Sequence, residues 1–311
     1  MRSFSDAPAI MKEFLDYQLV VQNKSIRTVT EYYYDLRTFF RYILKKRSPD
    51  TEPAEIQSVD LALVQSITAS ELFGYLSYIN LERNNAERAR ARKISSLKSF
   101  FKYLTEKAGL LKENPAQKLE LPKLRKTLPV YLSLEESQRL LRAVGGPDKE
   151  RDLCIITLFL NCGMRVSELT GINLSDMKQD TIRILGKGNK ERTVYLTESC
   201  KIALNNYLRL RPNDGVKDRD ALFISRENRR ITTRTVQRIV KRHLEAAGLD
   251  AEKYSPHKLR HTAATLMYQY ADADIRVLQE ILGHENLNTT EIYTHVENKQ
   301  VRDAAMKHPL G

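Results

Sequence analysis

Residues 114–133 read NPAQKLELPKLRKTLPVYLS, and the reading of this stretch decides how the rest of the chain divides. Pro115, Pro122 and Pro129 rule out a continuous helix. Lys118, Lys123, Arg125 and Lys126 make the stretch basic, so it reads as an extended connection that crosses DNA rather than one buried in a core. A chain of 311 residues is long enough for two domains. The predicted plan is a helical domain over residues 1–118, a linker over 119–131 and a second domain over 132–311.

The first domain is predicted to be all helix. In SIRTVTEYYYDLRTFFRYILKKR, Ser25 is a good N-cap, and Val29, Tyr32, Leu36, Phe39, Phe40 and Ile43 form an apolar stripe at the helical period. An acidic, proline-containing loop over 48–60 follows, then a helix through ASELFGYLSYINLER. A further helix covers AERARARKISSLKSFFKYLTEKAGL. Its stripe of Ile94, Leu97, Phe101 and Leu104 is separate from Arg88, Arg92, Lys98 and Lys102. These cations recur near helical spacing with Ser95 and Ser99 among them, which suits a helix lying along a phosphate backbone; a solvated charged face gives the same pattern. No internal repeat and no low-complexity tract is visible.

Beyond the linker, SLEESQRLLRAV has Ser133 as N-cap and Glu136 at the reciprocal position of a capping box. The strands TIRIL and RTVYL alternate around GKGNKE, whose Gly186, Gly188 and Asn189 suit a hairpin turn. The fold class is therefore mainly α with a small β-hairpin.

Composition narrows the function. The net charge is +12 and the pI about 9.5, so the chain attracts polyanions. No apolar run reaches the ~18 residues of a membrane span, and the N-terminus lacks a signal-peptide core, so a cytoplasmic protein is expected. Cys154, Cys162 and Cys200 have no CxxC spacing and read as free, buried thiols.

Four segments of the second domain each offer cations beside turn chemistry. Arg165 follows Gly163 in CGMRVSEL, before a helix expected to be capped near Ser167, where pairing with Glu168 is the plain alternative. Lys187 lies at a glycine-flanked hairpin tip. In YSPHKLRHTAATL, Ser255 can cap a helix with Pro256 in its first turn, placing His257, Arg260 and His261 on one face. The two histidines have metal-ligand spacing, but no HExxH glutamate accompanies them and an arginine in the same turn repels a cation. In VLQEILGHENLNTTEIYTHV a short helix ends at Gly283, His284 follows, and Tyr293 comes nine residues later. Two arginines match phosphate geometry without a metal. A tyrosine with an ordinary pKa near ~10 needs a base and a positive field to attack at neutral pH, and a lysine can protonate the leaving oxygen. Together these residues have the means for covalent phosphoryl transfer.

In combination these segments resemble the tyrosine recombinase, or phage integrase, family over nearly the whole chain. GMRVSEL is similar to the first-arginine box, GKGNKER to the hairpin-lysine box, HKLRHTAAT to the HxxR box and LGHENLNTTEIYTH to the box with the nucleophile. SIRTVTEYYYDLRTF and ARARKISSLKSFFKYL are similar to the core-binding helices of Xer-type recombinases, and KHPLG to the tail of that subgroup. The acidic segment 48–60 makes the first interhelical connection longer than in Xer proteins.

The resemblance implies a SAM-like core-binding domain and a catalytic domain that close as a C-shaped clamp on duplex DNA. It implies that Arg165 and Arg260 clamp the scissile phosphate, His257 accepts the tyrosine proton and Lys187 protonates the leaving 5′-hydroxyl. His284 would hydrogen-bond the phosphate and Tyr293 would form a 3′-phosphotyrosyl bond, with a Holliday junction as intermediate. His261 is expected to be structural and His295 incidental. Ser25, Thr28, Arg88, Arg92, Lys98 and Lys102 would meet DNA. No metal or other cofactor is implied, because the phosphotyrosyl bond conserves the energy of the cleaved linkage. Family members work as four protomers, here a homotetramer or a heterotetramer with a sister recombinase, each lending its C-terminal helix, ENKQVRDAAMKHPLG, to a neighbour. A DNA translocase is a further partner to test for. The lack of an extra N-terminal arm-binding domain favours a chromosome-dimer-resolving Xer role over a mobile-element integrase. A type IB topoisomerase-like enzyme and an inactive DNA-binding regulator are the remaining alternatives, and none of the six catalytic positions is broken as a regulator would require.

Overall fold

The chain forms two units, Met1–Lys126 and Thr127–Gly311. The structure, a computed structural model, describes residues 4–48, 55–122, 130–186, 191–270 and 274–283. Within these residues the fold is mostly helical with one two-stranded antiparallel sheet. No helix among them is long and apolar enough to cross a membrane.

The first unit is built from α1 (Ala9–Asp16), α2 (Ile26–Arg47), α3 (Leu61–Gln65), α4 (Ala69–Ser77) and α5 (Glu87–Glu106). Ser25 caps α2 as predicted, its hydroxyl accepting from the Thr28 amide at 3.2 Å. Thr68 and Glu71 form a capping box at the start of α4.

One expectation is overturned here: the unit contains an internal repeat. α1 runs into a π-helical turn (Tyr17–Val21) and then α2, as α4 runs into a π-helical turn (Tyr78–Glu82) and then α5. Each turn is followed by an asparagine at positive φ, Asn23 at 50° and Asn84 at 45°. The displacement that carries Tyr17 to Tyr78 also carries Phe39 and Phe40 to Phe100 and Phe101, and Tyr42 to Tyr103. Residues 33–46 and 94–107 follow the same order of buried, half-buried and exposed positions. Ring contacts repeat as well. Tyr42–Tyr78 centroids are 5.0 Å apart and Tyr103–Tyr17 4.8 Å; Phe39–Phe101 are 6.2 Å apart and Phe40–Phe100 5.7 Å. Such reciprocal pairs are the signature of two hairpins related by a local twofold. Each ring contact adds about 0.5–1.5 kcal/mol beyond area burial, so the aromatic pairs hold the hairpins together. The repeat is faint in the sequence because several core positions keep size and apolarity rather than identity: Phe14 matches Tyr75, and Tyr33 matches Ile94.

Leu119, the first residue of the predicted linker, is buried in this core. Residues 123–129 of that linker lie outside the described residues.

In the second unit α6 (Leu134–Arg142) begins with the capping box foreseen at Ser133 and Glu136. α7 (Lys149–Cys162) is buried nearly all round and packs chiefly against α9 (Glu198–Leu210) and α11 (Pro256–Tyr270). Between them lie α8 (Val166–Gly171) and the hairpin of β1 (Thr181–Leu185) and β2 (Glu191–Tyr195), with Thr181 opposite Tyr195. α10 (Thr233–Ala246) precedes α11, and α12 (Ile275–Leu282) ends at Gly283, whose φ of 62° gives the left-handed stop expected there. All three cysteines are free and buried.

Candidate active site

Four of the side chains that meet in the second unit come from α8, β2 and α11, and they meet the end of α12. α7 stops at Gly163, which has φ 59°. A Cβ there would sit 2.8 Å from Leu282 Cδ2, so both the backbone conformation and the approach of α12 demand glycine. Two residues later the chain turns into α8 with Arg165, not Ser167, at the N-cap. Glu168 explains the shift: its Oε2 accepts from the Arg165 amide at 2.7 Å, and its Oε1 from Arg165 Nη1 at 2.7 Å.

Glu168 is buried and serves three arginines. Arg192 of β2 donates Nη1 to Oε1 at 2.7 Å and Nη2 to Oε2 at 3.1 Å. Arg260 Nη1 lies 3.7 Å from Oε2. Burial pushes the Glu168 carboxyl up, but the bonds from Arg192 and Arg165 and the charge of Arg192 outweigh it and hold the group below the usual carboxylate range. Three guanidiniums around one carboxylate leave the cluster strongly positive, as an anion site requires.

The same arginines cap the C-terminus of α12, one per carbonyl. Arg192 Nε donates to Ile281 O at 3.2 Å, Arg260 Nη2 to Leu282 O at 2.6 Å, and Arg165 Nη2 to Gly283 O at 3.3 Å. Arg260 also donates Nη1 to Gly163 O at 2.7 Å. Carbonyls left over at a helix end carry partial negative charge, and cations there are favoured. The arginines are thus held by the segment whose continuation leads to His284 and Tyr293. Arg260 is buried, whereas the Arg165 side chain is 34% exposed.

His257 stands at the start of α11, with its Nε2 3.1 Å from Nε2 of His261. One ring must donate and the other accept, so these facing nitrogens share a single proton. Partial burial lowers the His257 pKa, and the charges of Arg260, Lys258 and Arg165 lower it further. A neutral imidazole able to take a proton is the result. His261, expected to be structural, is its direct neighbour.

Thus Arg165, His257 and Arg260 of the sequence-derived set belong to one site. Lys187, His284 and Tyr293, like His295 and the segment 297–311 expected to form the exchanged helix, lie outside the described residues. Sequence reading missed Arg192, although alternation along β2 puts it on the same face as buried Val194, where a charged residue signals a buried partner.

The residues expected to meet DNA in the first unit divide. Ser25 and Thr28 bond each other at the head of α2, their hydroxyls 2.9 Å apart. Arg88 is exposed. Arg92 pairs with Glu31 at 2.6 Å and with buried Asp35 at 2.8 Å. Lys102 is exposed and lies 3.7 Å from Glu106. Lys98 does not share this exposed face: its Nζ donates to Leu119 O at 2.8 Å, tying down the chain after α5.

Comparison with known proteins places the chain in a family. The model of the phage integrase family matches residues 131–300. The tyrosine recombinase XerC of Caldanaerobacter subterraneus subsp. tengcongensis is 51% identical, over 99% of this chain and 90% of that protein. XerC of Thermodesulfovibrio yellowstonii is 36% identical, over 96% and 95%. Among solved structures, the XerH site-specific recombinase bound to its difH substrate, in a pre-cleavage complex, is similar with a TM-score of 0.69 and 26% identity, covering 95% of this chain and 84% of that one. XerA recombinase is similar with a TM-score of 0.52 and 30% identity, covering 96% and 98%.

Proposed function

This chain belongs to the phage integrase family, and on that premise we propose that Arg165 and Arg260 hold the non-bridging oxygens of a scissile phosphate in duplex DNA. The protein is a site-specific DNA recombinase of the Xer type. In this reading the Tyr293 hydroxyl attacks phosphorus, its proton passes to His257, and a 3′-phosphotyrosyl bond forms as the bond to the 5′-oxygen breaks. Lys187 gives that oxygen its proton, and His284 hydrogen-bonds the phosphate. Reversal with a 5′-hydroxyl from the other duplex rejoins the strands through a Holliday junction. The guanidiniums supply charge stabilisation that is in place before the reaction.

The observation that supports these roles most strongly is the convergence of Arg165 and Arg260, from different helices, on Glu168 and on consecutive carbonyls at the end of α12. Neutral His257 beside them suits a base. The substrate is a pair of recombination sites, and the assembly is four protomers, of one kind or shared with a sister recombinase. The first unit contributes Ser25, Thr28, Arg88, Arg92 and Lys102 to the DNA face. Working in the cytoplasm, the enzyme resolves chromosome dimers.

A nicked suicide substrate carrying the core site tests the chemistry. The expected product is a covalent protein–DNA adduct at the 3′ side of the break that is lost in Tyr293→Phe; an adduct that persists in that variant removes Tyr293 as the nucleophile.

A further inference from the structure

Arg192 stands apart from the residues assigned above: it closes the hairpin-lysine stretch GKGNKER, where no role was assigned to it, yet it makes the bidentate contact with the carboxylate at the centre of the site. We propose that Arg192 is a positioning residue of the phosphate clamp, acting through Glu168 on Arg165 and through Ile281 on the end of α12. This inference rests on the phosphate-clamp reading of Arg165 and Arg260.

Three observations carry it. First, the Arg192 fork takes both Glu168 oxygens, at 2.7 and 3.1 Å, and so fixes the plane of the carboxylate. The same two oxygens accept the Arg165 side chain and the Arg165 amide, so the angle of that plane sets where the Arg165 guanidinium sits. Second, the remaining donor, Nε, is bonded to Ile281 O at 3.2 Å, so one planar group ties β2 to α8 and α12 at once. Third, the approach is close. A Cβ on Gly283 would lie 3.1 Å from Arg192 Cδ, and the Arg192 side chain is only 14% exposed. A lysine in its place has one point charge and cannot make all three bonds in fixed geometry.

The experiment is single-turnover cleavage of the nicked core-site substrate at saturating enzyme, with full-length Arg192→Lys, Arg192→Gln, Glu168→Gln and the Arg192/Glu168 double variant. DNA affinity is measured beside it by fluorescence anisotropy, and folding by thermal unfolding. A displaced clamp slows the chemical step, so cleavage by Arg192→Gln should fall about 10- to 100-fold while DNA affinity stays within about threefold. Arg192→Lys should recover only a small part of the rate. Because Arg192 acts through Glu168, the double variant should be about as slow as the slower single one rather than showing the product of both defects. Cleavage within about twofold of the parent, full recovery by lysine, or multiplying defects in the double variant would each overturn the proposal. The parent and Tyr293→Phe reactions run alongside. Failure of the phosphotyrosyl chemistry shows in those two, and failure of the Arg192 role shows only in the variants.

Discussion

Replacing Glu168 by glutamine keeps the shape of the side chain and removes its charge. The side chain is 2% exposed and has Arg165 and Arg192 at 2.7 Å and Arg260 at 3.7 Å. Without its charge, three guanidiniums face one another across the place of the carboxylate that now joins them. Removing one partner of a buried ion pair costs about 3–5 kcal/mol. In a unit of this size each kcal/mol moves the thermal midpoint by about 2–4 °C, so the transition of the second unit should fall by about 6–20 °C. Acid should reproduce the loss in the parent. Burial raises the Glu168 pKa but its arginine bonds more than reverse this, so the folded value lies below the unfolded value of ~4.3. As pH falls the unfolded chain takes up the proton first. The stabilisation is therefore complete above the unfolded value and disappears as pH drops through the folded one. Denaturant unfolding of parent and variant from pH 7 to 3 should show a constant gap down to about pH 5 that narrows below about pH 4. A gap under about 1 kcal/mol at pH 7, or one unchanged at pH 3, would refute the reasoning.

Two further outcomes follow from the same geometry. Because the His257 pKa lies below its ordinary ~6.5, the acidic limb of the cleavage pH profile should fall below that value and vanish in His257→Gln; a limb centred above pH 7 would exclude His257 as the base. Arg88 and Lys98 should behave differently in DNA-binding salt titrations. Arg88→Gln should reduce the log–log slope by about one, whereas Lys98→Gln should leave the slope alone and lower stability, because its ammonium serves Leu119 O.

Much of the second unit was legible because the signals are local. A Ser-x-x-Glu pair makes a capping box wherever a helix begins, and Gly283 stops α12 because only glycine takes that φ cheaply. The alternation of β1 and β2 likewise follows from the strand pleat. The doubled hairpin of the first unit was not read from the sequence: a few residues recur, Phe39 and Phe40 as Phe100 and Phe101 among them, but over most positions the two copies share burial more than residue type. Phe39 against Phe101 and Phe40 against Phe100 become a pattern only once the hairpins are packed.

The sequence by itself determined the inventory and order of the chemistry: two arginines, a lysine, two histidines and a tyrosine on short helices and turns, in an order matching one family. Tertiary structure alone decided how the cations are used. Arg165 and Lys98 look equivalent as charges on a chain, yet one joins a positive cluster and the other ties down a carbonyl. Arg192 becomes part of the site because folding brings β2 against α8 and the end of α12. The physical reason is that a guanidinium or ammonium bonds whichever carbonyl or carboxylate packing presents to it. That choice is made over long sequence separations, which no local pattern records.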